Sequence, residues 1–79
     1  MAKRETLVGG NHYHVWWEYM PMGIGKYNAK DKIGVFTQSY KLKDKEGYRE
    51  YTIHGNYWIL ATDKEVEEFY KETEEFHNY

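Results

Sequence analysis

Alternating apolar and polar residues predict β-strands in the first two thirds of the chain. Over residues 12–20, one face is apolar or aromatic and the other is mixed, a period of two that is typical of a strand with one buried face. Further strands are predicted at about 33–43 and at 48–53. The polar turn 44–47, which ends in glycine, predicts that these two strands form a hairpin.

The segments between these strands contain the chain's breakers. Residues 21–32 are predicted to be a loop, because they collect Pro, Gly, Asn, Asp and Lys. Residues 54–56, His-Gly-Asn, are interpreted as a short turn into a fourth strand at 57–61, since Gly and Asn tolerate positive φ. The alternative is a glycine bulge in one long bent strand. In both cases residues 57–61 are apolar on both faces and are expected inside the sheet, not at its edge.

A C-terminal helix over about residues 63–77 is predicted by a capping box, Thr62 with Glu65, followed by apolar residues at helical spacing. We therefore predict an α+β fold, with an antiparallel sheet of three to four strands and the helix packed on one face. Residues 1–79 form a single domain, with 1–10 as a flexible arm. The expected core residues are Tyr13, Val15, Trp17, Phe36, Tyr40, Ile53, Ile59, Val66, Phe69 and Tyr70.

The composition adds a large aromatic surplus to this small fold. Aromatic residues make up 19% of the 79 residues, and cysteine is absent, so no disulfide or thiolate metal site supplements the core. One helix covers only one face of a sheet, and we expect a second copy of the chain, a ligand or another protein to cover the other face. We expect a homodimer or higher homo-oligomer, because two-fold homodimers are the commonest way to cover an apolar sheet face. The residues expected on this uncovered face are His12, His14, Trp16, Glu18 and Trp58, with Tyr48 as a further candidate.

Charge is unevenly distributed around a net value of −2. Residues 1–62 hold nine Lys and Arg against six Asp and Glu, whereas residues 63–79 hold two against seven. Such a chain could bind an anion on one side and a basic partner on the other, and its net charge disfavours long nucleic acids. With no signal-peptide pattern and no apolar run of membrane-spanning length, a cytoplasmic protein without membrane contact is expected.

Motifs for catalysis or metal binding are weak. His12 and His14 lie about 7 Å apart on one strand face, but without an evident third ligand no metal or other cofactor is expected. Ser39 has no base near it in sequence and the chain is too small for a deep pocket, so we expect no enzyme activity. The segment 23–26 fails the phosphate-loop pattern, although the loop 21–32 could still fold over an anion.

Tryptophan and tyrosine point to binding. Exposed aromatic rings stack on planar groups at about 1–3 kcal/mol per base, and they also anchor protein–protein contacts. We therefore predict a non-catalytic binding protein that sequesters a nucleotide-like small ligand with stacked aromatics and basic residues. The alternative is an inhibitor that blocks a host protein through an aromatic surface patch. The expected ligand-binding residues are His12, His14, Trp16, Lys26, Arg49 and Trp58.

In size, lack of cysteine, aromatic surplus and sheet-plus-helix plan, the chain resembles the small phage-encoded proteins that neutralise bacterial defences. Some of those proteins sequester nucleotide second messengers, and others block a host protein directly. The resemblance is one of general character and assigns no residue to a site.

Overall fold

The computed structural model describes residues 5–42 and 46–76, with helix side chains as far as residue 71. Its elements are β1 (His12–Trp17), β2 (Met20–Lys26), β3 (Val35–Lys41), β4 (Tyr48–His54), β5 (Tyr57–Leu60) and α1 (Asp63–Phe76). The strands form one antiparallel sheet in the order β4-β3-β2-β1-β5. The α+β class and the C-terminal helix are confirmed.

The sheet has five strands, not three to four, because part of the expected loop 21–32 belongs to β2. The glycines taken as breakers lie within this strand, where a glycine often marks a close approach of another element. A Cβ atom added to Gly25 would lie 2.7 Å from Cβ of Phe36 and 3.0 Å from Cδ1 of Ile53. The glycines of β2 therefore make room for packing instead of ending the strand.

The first strand is shorter than predicted because the chain reverses at Glu18 and Tyr19. Trp17 pairs with Met20, and the two residues between them have positive φ values of 49° and 72°, as in a type I′ hairpin turn. That turn usually selects Asn or Gly, and holding larger side chains in it costs about 1–3 kcal/mol per residue. With neither Asn nor Gly present, the sequence carried no turn signal here.

The sheet is strongly curled, because only Gly55 and Asn56 connect its two outermost strands, β4 and β5. In a flat sheet these strands would lie about 19 Å apart, whereas two linking residues span only about 10 Å. Gly55 N–H donates to the Gly34 carbonyl at 2.9 Å, and Asn56 N–H donates to the Trp16 carbonyl at 3.0 Å. These two hydrogen bonds hold the β4–β5 link against the start of β3 and against the end of β1.

The hydrophobic core lies inside the curl. The Phe36 ring of β3 is 5.6 Å from the Trp58 ring of β5 and 5.9 Å from the Tyr13 ring of β1, measured between ring centroids. Trp58 is only 4% exposed, and its indole N–H donates to the Glu5 carbonyl at 2.7 Å. The buried core cluster is Tyr13, Val15, Phe36, Ile53 and Trp58.

Half of the predicted core is buried. Tyr13, Val15, Phe36, Tyr40 and Ile53 are buried, whereas Ile59, Val66, Phe69 and Tyr70 are half-buried. The prediction for Trp17 is wrong, since this residue is 48% exposed. It follows a register shift between Val15 and Trp16 and lies beside the turn, beyond the last core residue of β1.

β5 is an edge strand, contrary to the expectation from its apolar sequence. The curl encloses Trp58, and the N-terminal segment contacts the free edge, where the Glu5 carboxylate accepts the Leu60 N–H at 2.8 Å. The same segment is tied to β1, since Val8 N–H donates to the Tyr13 hydroxyl oxygen at 2.9 Å. The part of the predicted arm that the structure describes, residues 5–10, thus lies against the sheet.

β2 and β3 share a single ladder pair, Lys26 with Thr37, and side chains bridge the opening between them. The Gln38 amide donates to the carbonyls of Met22 at 3.0 Å and Ile24 at 3.3 Å. From the helix, the Tyr70 hydroxyl donates to the Ile24 carbonyl at 2.6 Å. Backbone carbonyls that a β3 ladder would have satisfied therefore find side-chain donors.

The start of α1 confirms the predicted capping box. Glu65 N–H donates to the Thr62 hydroxyl oxygen at 3.1 Å, and Thr62 N–H donates to a Glu65 carboxylate oxygen at 2.9 Å. The predicted end at residue 77 lies outside the described residues. Among the residues that are described, no helix has the length and apolarity to cross a membrane.

We expect Gln38→Met to lower the free energy of unfolding by about 1–3 kcal/mol, because it removes the side-chain donor to the Met22 carbonyl and one of the two side-chain donors to the Ile24 carbonyl. Gln38 is 7% exposed and also accepts a hydrogen bond from the Tyr40 hydroxyl at 3.0 Å. Urea unfolding followed by tryptophan fluorescence measures the change. An unchanged unfolding free energy would show that the amide does not bridge the opening.

We expect Thr62→Ala to destabilise the protein by about 1 kcal/mol, because the helix loses the hydroxyl that caps Glu65 N–H. Thr62→Ser keeps that hydroxyl and serves as the matched control, with a change of less than about half that size. Thermal unfolding followed by circular dichroism compares the three proteins. Equal losses for the two variants would contradict a capping role.

Candidate functional site

The surface cavities lined by the described residues include three around the sheet and helix. The polar cavity, of about 270 Å³, is bounded by β1, β2, β3 and β4 and by Tyr70 of the helix. The helix groove, also of about 270 Å³, lies between the β1–β2 hairpin and α1. A third cavity, of about 340 Å³, lies beneath the N-terminal segment, beside Tyr27, Ile33 and Trp58.

Four of the six predicted ligand-binding residues are divided between two of these cavities. His12 and Lys26 line the polar cavity, whereas His14 and Trp16 line the helix groove. The structure therefore brings the predicted stacking residue Trp16 together with His14, one of the predicted anion contacts, but places Lys26, another predicted anion contact, in a different cavity.

The other two predicted residues lie elsewhere. Trp58 belongs to the core, is 4% exposed and lines the third cavity. The sequence pattern assigns Trp58 to the uncovered face, because it does not reveal that β5 curls over β3. Arg49 pairs with Tyr40 on the β3–β4 hairpin and lines none of the three cavities.

The sheet face that was expected to be uncovered carries the helix instead. His14 Nε2 lies 3.2 Å from a Glu65 carboxylate oxygen, and the rings of His12 and Tyr70 meet edge to face at 6.2 Å. Since the curl already buries Tyr13 and its neighbours on the inner face, the helix is left with the His12 face. The expectation that His12, His14 and Trp16 lie opposite the helix is wrong.

The polar cavity is built by residues that pair across strands. Antiparallel partners point to the same face of a sheet, and here Lys26 pairs with His12 on one side and Thr37 on the other. Two residues further along β3, on the same face as Thr37, Ser39 pairs with Glu50. These five side chains therefore project together from four strands.

Burial and a neighbouring charge keep the His12 imidazole neutral. Desolvation is the larger cause of its lowered pKa, the Lys26 ammonium adds to it, and Asp63 opposes both. Burial also raises the pKa of Tyr70, with a further contribution from Tyr40. At neutral pH the cavity thus presents one cation, Lys26, one anion, Glu50, and neutral hydroxyl and imidazole groups.

The helix groove has an apolar floor and an acidic rim. Trp16, Pro21, Ile24 and Phe69 contribute apolar surface, and Glu65 and Glu68 stand on the helix side. The hydrogen bond from the Thr62 backbone N–H is the largest cause of the lowered pKa of Glu65, and the hydrogen bond with His14 is the second. This carboxylate is therefore charged at neutral pH. Trp16 also lies against Tyr57, with ring centroids 4.9 Å apart at 34°.

Sequence reasoning missed the most exposed aromatic surface, which we call the hairpin tip and define as Trp17, Tyr19 and Met20. These side chains are 48%, 97% and 64% exposed. Because residues 12–20 are predicted as one uninterrupted strand, their period of two places Tyr19 on the same face as Trp17, which is an expected core residue. The signal that could have revealed them is the length of the predicted strand 12–20. A turn after residue 17 divides this strand and allows β2 to begin at Met20.

The described part of the chain contains no cluster of three or more His, Asp and Glu side chains placed as metal ligands. His12 and His14 line different cavities. Comparison with protein-family models, curated proteins and solved structures yields no match. Functional inference therefore depends on the geometry of the cavities and of the hairpin tip.

We expect Lys26→Met to raise the pKa of His12, because the ammonium that opposes imidazole protonation is removed. The pKa should stay below its ordinary value of about 6.5, since desolvation remains the larger cause. An NMR titration of the imidazole protons, assigned with His12→Gln, measures the change. Lys30→Met, at an exposed lysine outside the three cavities, is the control, and an equal rise in both variants would contradict a local effect of Lys26.

Proposed function

We propose that this protein is a non-catalytic binding protein whose hairpin tip and helix groove hold a basic segment of a partner protein. The observation that carries the proposal is the exposure of Trp17, Tyr19 and Met20 beside an apolar groove. By covering the basic segment, the protein would act as an inhibitor of its partner.

The hairpin joins the two surfaces. Trp17 and Met20 form the last pair of the hairpin, and Trp16 and Pro21, which line the groove, form the adjacent pair. Exposed Trp and Tyr side chains are the commonest anchors of protein–protein contacts, and contiguous exposed apolar surface marks interaction sites. The turn holds Tyr19 almost fully exposed despite its positive φ, which supports a binding role for this side chain.

Charge indicates the chemistry of the partner. Glu65 and Glu68 line the groove, where Glu65 contacts His14. Among the described residues no Lys or Arg lines the groove, and Glu18 lies within the turn itself. Complementary charge selects partners and speeds their encounter. A segment in which Lys or Arg flanks an aromatic or aliphatic residue fits both the acidic rim and the apolar floor.

The division of predicted ligand residues favours a protein partner over a nucleotide. A nucleotide would need a stacking ring and a phosphate contact in one pocket. In the groove that holds Trp16, the basic group among the described residues is His14, which already contacts Glu65, and Lys26 lines the other cavity together with Glu50. The hairpin tip, by contrast, presents its rings on an open surface, which suits a partner of larger area.

Selection from a library of random peptides tests the partner chemistry directly. We expect the protein to enrich peptides in which Lys or Arg flanks an apolar residue, and we expect their binding to weaken with added salt. The double variant Trp17→Ala/Tyr19→Ala should bind them about tenfold or more weakly. Tyr48→Ala, at an exposed tyrosine of β4, is the aromatic control and should bind like the unchanged protein.

A matched pair of charge variants tests the acidic rim. Glu68→Lys should weaken binding of the selected peptides several-fold, because Glu68 lines the groove. Glu67→Lys changes the net charge equally at an exposed residue outside the groove and should have a much smaller effect. Enrichment of acidic peptides, or equal binding to the Trp17→Ala/Tyr19→Ala variant, would overturn the proposal.

A further inference from the structure

We propose that the polar cavity is a second, separate binding site, which takes a small zwitterion of the amino-acid class. Lys26 would bind the carboxylate of the ligand, and Glu50 would bind its ammonium group. This proposal is independent of the hairpin tip and helix groove, because the two sites share no lining residue.

Polar side chains make up most of the cavity lining, and the Tyr70 ring is its aromatic part. His12, Asn28, Thr37 and Ser39 supply imidazole, amide and hydroxyl groups between the two charged residues. Asn28 is held in place by hydrogen bonds from its amide to Thr37 Oγ1 at 3.4 Å and to an Asp31 carboxylate oxygen at 3.3 Å. A few convergent polar groups in a concave site are what orients a small ligand.

The two charges of the cavity do not neutralise each other. Within the described residues, neither Lys26 nor Glu50 takes part in an ion pair. They stand on β2 and β4, with β3 between them, so their backbones lie about 10 Å or more apart. A ligand that carries both a carboxylate and an ammonium group can pair with both residues at once.

The same arrangement disfavours ligands that carry only negative charge. An anion at Lys26 would share the cavity with the Glu50 carboxylate, and like charges within one site repel. The volume of about 270 Å³ is also just below the range of about 300–1,000 Å³ found for drug-sized ligands. Both features favour a compact zwitterion over a nucleotide.

The neutral side chains complete the recognition. The Ser39 and Thr37 hydroxyls can donate or accept hydrogen bonds. The lowered pKa of His12 favours the neutral imidazole, in which one ring nitrogen can accept a hydrogen bond. A carboxylate placed beside Lys26 would also offset the effect of that ammonium on His12, so ligand binding should raise the pKa of His12.

NMR titration of the full chain with each of the free amino acids tests the site. We expect at least one to shift the amide signals of Thr37, Ser39 and Glu50 saturably below about 10 mM. For that amino acid, the matched compounds that lack either the amino or the carboxyl group should bind about tenfold or more weakly, since each loses a charged hydrogen bond. Inorganic phosphate serves as the purely anionic probe, and adenosine monophosphate serves as the nucleotide probe.

Charge-neutralising variants locate the two contacts. Lys26→Met and Glu50→Gln should each weaken binding about tenfold or more, whereas Lys30→Met and Glu67→Gln, at exposed residues outside the cavity, should leave it unchanged. Folding of each variant is checked from its amide spectrum. If no amino acid binds, if phosphate or adenosine monophosphate binds more tightly, or if the control variants weaken binding equally, the proposal is overturned.

Discussion

The two-residue link between β4 and β5 is the constraint on which the rest of this fold depends. It joins strands from opposite ends of the sheet order, so the sheet has to curl until its edges approach. Gly55 is suited to this position because an added Cβ would collide with Val15 and with the Trp16 carbonyl. The curl then encloses Phe36 and Trp58 and gives a short chain a core without a second layer of strands.

The same curl opens the sheet between β2 and β3, where only one ladder pair remains. Gln38 and Tyr70 supply the donors that the missing ladder would have provided, which explains a buried amide in an otherwise apolar interior. Because the helix fills this opening, its position is fixed by polar groups of β2 and by the Tyr40 ring of β3, 5.4 Å from the Tyr70 ring. The helix groove and the polar cavity form where the helix and the curled strands leave space beside each other.

Local patterns predicted the local features of this protein. The capping box, the β3–β4 hairpin and the buried positions Tyr13, Val15 and Phe36 follow from spacing alone. A period of two shows which residues share a face, but it does not show on which side of the sheet the core lies. That choice depends on the curl, and for this reason Trp58 and the helix-bearing face were assigned to the wrong sides, while the exposed hairpin tip was hidden by a turn without Asn or Gly.

The helix divides the predicted binding residues between two surfaces. Phe69 and Tyr70 are consecutive, and their rings lie perpendicular at 5.0 Å, with Phe69 lining the groove and Tyr70 lining the polar cavity. This pair stands as a partition between the surface that holds Trp16 and the surface that holds Lys26. His14 and Trp16 are thereby separated from His12 and Lys26, because the first two line an apolar groove with an acidic rim and the other two line a polar cavity.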